Sequence, residues 1–150
     1  MIVTLSGVTG TGKSFFKNVI SQELNFKNLA IVTTRNKRDG ETNGIDKEFV
    51  SEEKFEELKK ENKVVVSFEF LGSKYAYRKK DLESEESQVT ELHYDTIYEF
   101  KKNAQNVFSI YMIPKDLERA KKELRKRNLP KEIEEKRLKE IDEHIKEYNS

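Results

Sequence analysis

The chain has 150 residues, enough for one compact domain with its own core, and it carries 35% hydrophobic against 38% charged residues. The formal net charge is +1, so no overall field draws it to nucleic acid or anionic lipid, and any anion site has to be built locally. No apolar run is long enough to span a membrane, the opening MIVTLSGVTG reads as a strand rather than a signal peptide, and the absence of cysteine excludes disulfides and thiolate metal sites and suits a reducing cytoplasm.

In chain order, Ile2 to Leu5 is a short apolar run that stops at Ser6-Gly7 and predicts a buried strand. Residues 13–25 (KSFFKNVISQELN) carry apolar groups at 15, 16, 19, 20 and 24, a helical stripe. Leu29 to Val32 predicts a second buried strand, and the polar stretch 36–50, with Gly40 and Gly44, a loop or small hairpin. Ser51 opens a helix with Ser-Glu-Glu-Lys, close to a capping box, and Phe55 and Leu58 give it an apolar side. VVVSFEF (64–70) predicts a strand, Gly72-Ser73 a turn and KYAY its hairpin partner. QVTELHY (88–94) has a weaker strand pattern, IYEFKKN (97–103) a helical one, and VFSIYMI (107–113) predicts a strand ended by Pro114.

From Asp116 the composition turns to Lys, Glu and Arg. Leu117, Ala120 and Leu124 form one helical stripe, Leu138, Ile141, Ile145 and Tyr148 another, with Asn128-Leu129-Pro130 between them. Most of the charges on these helices read as solvated faces. Strands alternating with helices predict an α/β domain with a mainly parallel sheet.

Residues 7–14 (GVTGTGKS) satisfy G-x-x-x-x-G-K-S directly after a predicted strand and directly before a predicted helix. Gly7, Gly10 and Gly12 let the backbone bend, so that successive N–H groups, those of Thr9 and Thr11 included, face an anion. The start of the next helix adds its positive dipole end. In this arrangement Lys13 reaches the β- and γ-phosphates of ATP, and the Ser14 hydroxyl binds Mg²⁺. Lys13 is expected to face solvent when the site is empty. A second cationic group follows in IVTTRNKRDG (31–40), where Arg35, Lys37 and Arg38 leave a strand. Two arginines three apart at a strand end can converge on one phosphate dianion, which favours fork-shaped donors.

The run TTR-x-x-R-x-GE-x-x-G (33–44), then Phe49-Val50 and the helix with Phe55, then Gly72 and Tyr75 at the predicted turn, then LRKRNLPKEIEEKRL (124–138), resembles guanylate kinase across nearly the whole chain and in the right order. The resemblance implies a P-loop NTPase three-layer α/β fold with a mainly parallel sheet, a small inserted acceptor-binding β/α subdomain and a helical lid. It divides a single domain into a core (1–33 and 85–150), an insertion at about 34–84 and a lid at about 125–136. It further implies ATP-dependent phosphoryl transfer to a nucleoside monophosphate, with ATP and Mg²⁺. The acceptor phosphate would lie on Arg35, Arg38, Tyr75 and Lys47, the last standing where the family has a tyrosine. Arg127 and Arg137 match the lid arginines that close over the transferring group, and with Lys13 and Arg35 make up the catalytic set. Glu91 falls on the first acid of an Asp-x-Asp pair near the metal.

The departures gather where the family reads guanine. Ile31 stands for a serine, Val66 for a glutamate, Tyr77 for a hydroxyl residue and His93 for the second acid of the pair. Apolar side chains leave guanine's N–H donors unsatisfied at about 1–3 kcal/mol each, so phosphate recognition is expected to survive while base preference stays open. Two alternatives follow: a kinase for a non-nucleobase sugar phosphate such as ribose bisphosphate, or a guanylate-kinase-like protein-binding module, against which the complete P-loop argues. The balanced charge and lack of an interleaved basic and aromatic patch speak against a nucleic-acid partner.

Overall fold

A computed structural model describes the backbone of residues 1–149 and the side chains of residues 1–143 and 146. Strand β1 (Ile2–Ser6) is buried at every position, as expected for a strand covered on both faces and paired on both edges. It sits inside a parallel sheet of order β2-β7-β1-β8, with β2 at Lys27–Asn28, β7 at Gln88–Glu91 and β8 at Val107–Tyr111. Helix α1 (Lys13–Glu23) lies over one face, where Ile20 packs against Val3, Leu5 and Val89.

The second sheet is mixed, in the order β4-β3-β6-β5: β3 (Ile31–Thr33) runs parallel to β4 (Lys47–Phe49), while β6 (Ser73–Arg78) is antiparallel to both β3 and β5 (Val64–Phe70). Helix α2 (Glu52–Lys60) covers one face, setting Phe55 and Leu58 against Val32, Val64 and Ala76. Ser51 caps it as expected, its Oγ accepting the Lys54 amide at 3.1 Å, a cap of the kind that stabilises a helix by about 1 kcal/mol. The other face joins the first sheet in one core, where Ile2, Ile31, Val66, Tyr77 and Phe100 meet.

Two expectations need correction, and a third, the strand at 64–70, holds with a bulge. The predicted strand Leu29–Val32 is strand only in its second half: Ile31 and Val32 fall in β3 of the second sheet, while Leu29 and Ala30 cross over from β2 (Lys27–Asn28) of the first sheet. The segment that pairs in the first sheet is polar, Lys27 and Asn28, so an apolar pattern could not find it. VVVSFEF is bulged between Val65 and Phe68, and Val66 sits at φ 53°, a region that β-branched residues seldom occupy. The polar stretch 36–50 ends in a strand, β4, that pairs parallel with β3 and not across a hairpin. A short helix, α3 (Lys79–Leu82), and a 3-10 turn at Tyr94–Thr96 add to the expected elements. The turn leads into α4 (Ile97–Asn103), which matches its predicted span.

The two charged helices are α5 (Leu117–Arg125) and α6 (Lys131–Asn149). Leu124 and Ile141, both fully buried, close on Val8 of the glycine-rich loop, and this apolar clamp seats the helix pair beside that loop. Ile145 and Tyr148, expected on the same stripe, lie outside the described side chains. Among the described residues no helix is long and apolar enough to cross a membrane.

Candidate active site

The loop after β1 is shaped by close approaches. A Cβ on Gly7 (φ 134°) would fall 2.3 Å from the Met112 carbonyl oxygen, and one on Gly10 (φ 88°) 2.6 Å from that of Ala120. Both are well inside contact distance, so only glycine lets the loop pass β8 and α5 this tightly. The loop enters α1 through Gly12, with no side-chain cap and no acidic residue in the first turn. The first amides of α1 are thus left for an anion.

Lys13 does not face solvent, contrary to expectation. Its ammonium donates to the carbonyls of Gly7 and Val8, at 2.7 Å each, which seats it in the curl of its own loop. Burial is the main reason its pKa is pulled down to about 8; Glu91 opposes the shift while Arg127 and Arg137 add to it. The parallel register sets Glu91 opposite Leu5, at the carboxyl end of the sheet where β1 turns into the loop. There its Oε1 accepts the Ser14 hydroxyl at 2.7 Å and lies 4.0 Å from Lys17 Nζ. A hydroxyl and a carboxylate oxygen side by side make a hard donor pair that fits Mg²⁺, which holds few protein ligands and keeps the rest of its shell from water and phosphate. Among the described residues no group of three or more His, Asp or Glu is placed for a metal.

Opposite, the second sheet brings up the other cluster. Thr33 pairs with Tyr75 and Ile31 with Lys47, so the residues following β3 emerge beside both. The Arg35 guanidinium grips Glu41 at 2.7 and 2.9 Å and lies over the Phe49 ring at 5.4 Å. Glu41 also accepts the Arg38 amide at 2.7 Å. Burial alone would raise this carboxyl, but the hydrogen bonds from Arg35 and the Arg38 amide outweigh it and hold Glu41 below the usual carboxylate range. Arg35 is thus held in place by an internal carboxylate. The Arg38 side chain, Lys47 and Arg127 have no carboxylate within ion-pair distance among the described residues. Burial, with Lys17 and Arg35 nearby, lowers the Lys47 pKa; burial and Arg35 do the same to Arg38.

Both clusters open into one cavity of about 480 Å³. Of the residues expected to form the site, Gly7, Thr9, Gly10, Gly12, Lys13, Ser14, Arg35, Arg38, Lys47, Tyr75, Glu91, Arg127 and Arg137 all line it. Thr11 does not; its hydroxyl turns back to the Val8 carbonyl at 2.9 Å. Arg137 reaches across from α6 to donate to Thr9 Oγ1 at 2.9 Å, with its guanidinium 5.5 Å from the Phe70 ring. Lys17 and Glu140, which carry no motif, line the cavity as well. Lys17 follows Lys13 by one helical turn, a spacing that could have exposed it. The cavity wall carries seven cations (Lys13, Lys17, Arg35, Arg38, Lys47, Arg127, Arg137) against four carboxylates (Glu41, Asp46, Glu91, Glu140). A cavity with that excess, several of its cations unpaired, is built to receive polyanions.

The guanylate kinase family profile matches residues 1–150. The chain belongs to the guanylate kinase family. It is 31% identical to the guanylate kinase of Rickettsia prowazekii (strain Madrid E) over 132 residues, covering 85% of this chain and 67% of that one. It is also 31% identical to the guanylate kinase of Wolbachia pipientis wMel over 152 residues, covering 97% and 76%. Among solved structures it is similar to guanylate kinase from Anaplasma phagocytophilum, with a TM-score of 0.65 and 25% identity over 81% of this chain and 64% of that one. The chain therefore spans roughly two thirds of the length of such guanylate kinases. The α/β fold with its parallel sheet is that of the family.

Two of the positions aligned with guanylate kinase base readers turn away from the cavity. Tyr77 is fully buried, its ring edge-on to Phe100 at 4.9 Å and its hydroxyl donating to the Glu91 carbonyl at 3.0 Å. Val66, at the bulge, is core. Ile31 and His93 do line the cavity.

Proposed function

We propose that this protein transfers the γ-phosphoryl group of ATP to the phosphate of a nucleoside monophosphate, GMP and dGMP being the first candidates from its guanylate kinase relatives. The supporting observation is the single cavity that faces a glycine-rich phosphate loop, with Lys13 seated in it, toward the Arg35, Arg38 and Lys47 cluster. Two phosphate sites in one enclosure suit a donor and an acceptor. No observation at the site favours a sugar-phosphate acceptor or a protein-recognition role.

Such a transfer asks the protein mainly to align two anions and neutralise the charge between them. The loop amides and Lys13 hold the β- and γ-phosphates, and Arg38, Lys47 and Tyr75 hold the acceptor phosphate beside Arg35, which Glu41 keeps in place. An acceptor phosphate oxygen then forms the new P–O bond as the bond from the γ-phosphorus to the ADP oxygen breaks. Arg127 and Arg137 face that centre from the lid side, where Arg137 already contacts the loop through Thr9. Ser14 and Glu91 would hold Mg²⁺, which would neutralise charge on the transferring phosphates. The proposal is tested by incubating the protein with Mg-ATP and a panel of phosphorylated acceptors and scoring ADP and acceptor diphosphate. Diphosphate formation with at least one nucleoside monophosphate is expected; none with any of them refutes it.

A further inference from the structure

The acceptor half of the cavity has a wall of rings with few polar atoms free to read a base. Phe68, Phe70, Tyr75, His93 and Tyr94 all line it, each half-buried. Phe68 stacks on Tyr75 with centroids 5.2 Å apart and planes at 12°, Phe70 lies 5.0 Å from His93, and His93 4.4 Å from Tyr94. These rings share the enclosure with Arg38 and Lys47, so a phosphate held by the cations puts the rest of its molecule within reach of them.

The polar atoms here are sealed from the cavity or engaged with the protein. His93 Nε2 is sealed from solvent with no hydrogen-bond partner, 3.7 Å from Glu140, while Nδ1 faces Asp95 at 3.6 Å. The Tyr94 hydroxyl donates to Glu140 at 3.4 Å, and that of Tyr77 to the Glu91 carbonyl. Ile31 and Leu92, the nearby aliphatic lining, offer no hydrogen bond. Edge recognition needs placed donors and acceptors, whereas stacking needs only a flat face, which every base has.

Resting on the proposed monophosphate kinase activity, we infer that the acceptor's base is held by stacking on this aromatic wall and not read along its edge, so the protein takes purine and pyrimidine monophosphates with little discrimination. Phe68 and His93, whose ring centroids lie 6.2 Å apart, are the specificity-determining residues, offering ring faces in place of donors and acceptors for the base edge.

Calorimetric titration of the protein with GMP, AMP, CMP, UMP and ribose 5-phosphate tests this without any need for turnover. Affinities for the four nucleotides are expected to lie within about tenfold of one another, with ribose 5-phosphate weaker by roughly tenfold to a hundredfold for want of a ring to stack. Phe68→Leu should weaken all four nucleotides together, and by a clearly larger factor than ribose 5-phosphate. GMP bound about a thousandfold more tightly than the others overturns the inference. So does ribose 5-phosphate bound as tightly as the nucleotides, or failure of every nucleotide to bind. Should Phe68→Leu not fold, the wild-type series decides by itself. Base-independent binding without diphosphate formation would uphold the stacking slot and refute the kinase reading.

Discussion

Replacing Arg35 or Arg38 by alanine should weaken the acceptor similarly but affect stability very differently. Arg35 donates two charged hydrogen bonds to Glu41 with both side chains largely buried, at 15% and 20% exposure. Its removal strands a carboxylate that has no other guanidinium among the described residues, at roughly 2–3 kcal/mol, or about 4–12 °C in Tm for a domain of this size. Among the described residues the Arg38 guanidinium pairs with no carboxylate, and it has Arg35 as a neighbour, so Arg38→Ala should leave Tm within about 1 °C. Both variants should lose roughly 2–4 kcal/mol of transition-state stabilisation in kcat/KM for the acceptor, with ATP affinity nearly unchanged. The stability difference carries a pH signature. Because the Glu41 pKa is held down in the folded state, the Arg35 contribution is fully present above the unfolded value of 4.5 and is lost as pH falls through the lower folded value. Differential scanning calorimetry from pH 7 to pH 3, with steady-state kinetics at pH 7, measures both effects. Equal loss of Tm in the two variants, or an acceptor kcat/KM untouched by Arg38→Ala, would refute the reasoning.

Lys13, its pKa lowered to about 8 chiefly by burial, should make kcat/KM for ATP fall about tenfold per pH unit above pH 8, while kcat holds to higher pH because bound phosphates keep the ammonium charged. The stability contribution of the same group runs the other way, rising between pH 8 and 10.5, since there the unfolded chain binds the extra proton; a pH-rate profile beside pH-dependent melting separates the two. Gly10→Ala should abolish ATP binding and destabilise the fold by about 1–3 kcal/mol, because its Cβ collides with the Ala120 carbonyl of α5; titration of ATP together with a melting curve reads it. Tyr77→Phe should lower Tm by about 2–4 °C through loss of a buried hydrogen bond worth about 1 kcal/mol, and shift relative acceptor preference by less than about twofold, measured as kcat/KM ratios.

What could be read from the residues differs across the molecule for physical reasons. The glycine loop announces itself because its chemistry sits in contiguous residues, and Lys13, Ser14 and Glu91 converge once β7 is placed beside β1. The helices at 52–60 and 97–103 follow from a cap and a stripe, both local. The division of 27–33 between two sheets was not legible, because partner choice is a property of the whole topology. Nor was the bulge at Val66, which turns that residue into the core. Tyr77 illustrates the same limit: aligned by spacing, it falls among base readers, yet its buried hydroxyl serves the Glu91 backbone. The resting positions of the cations were hidden for another reason. Lys13 on loop carbonyls and Arg35 on Glu41 are contacts within the 7–14 and 33–44 motifs, but their pairing is set by the folded shape of those loops and not by the residue types alone.

The most direct measurement follows the label from [γ-³²P]ATP in the presence of Mg²⁺ and a nucleoside monophosphate, comparing the wild-type protein with Lys13→Ala. Label should move onto the monophosphate to give a labelled nucleoside diphosphate and unlabelled ADP, and the transfer should be lost in the variant while its fold is retained. Label released only as inorganic phosphate, or equal transfer by Lys13→Ala, would contradict the assignment of this cavity as a two-phosphate transfer site.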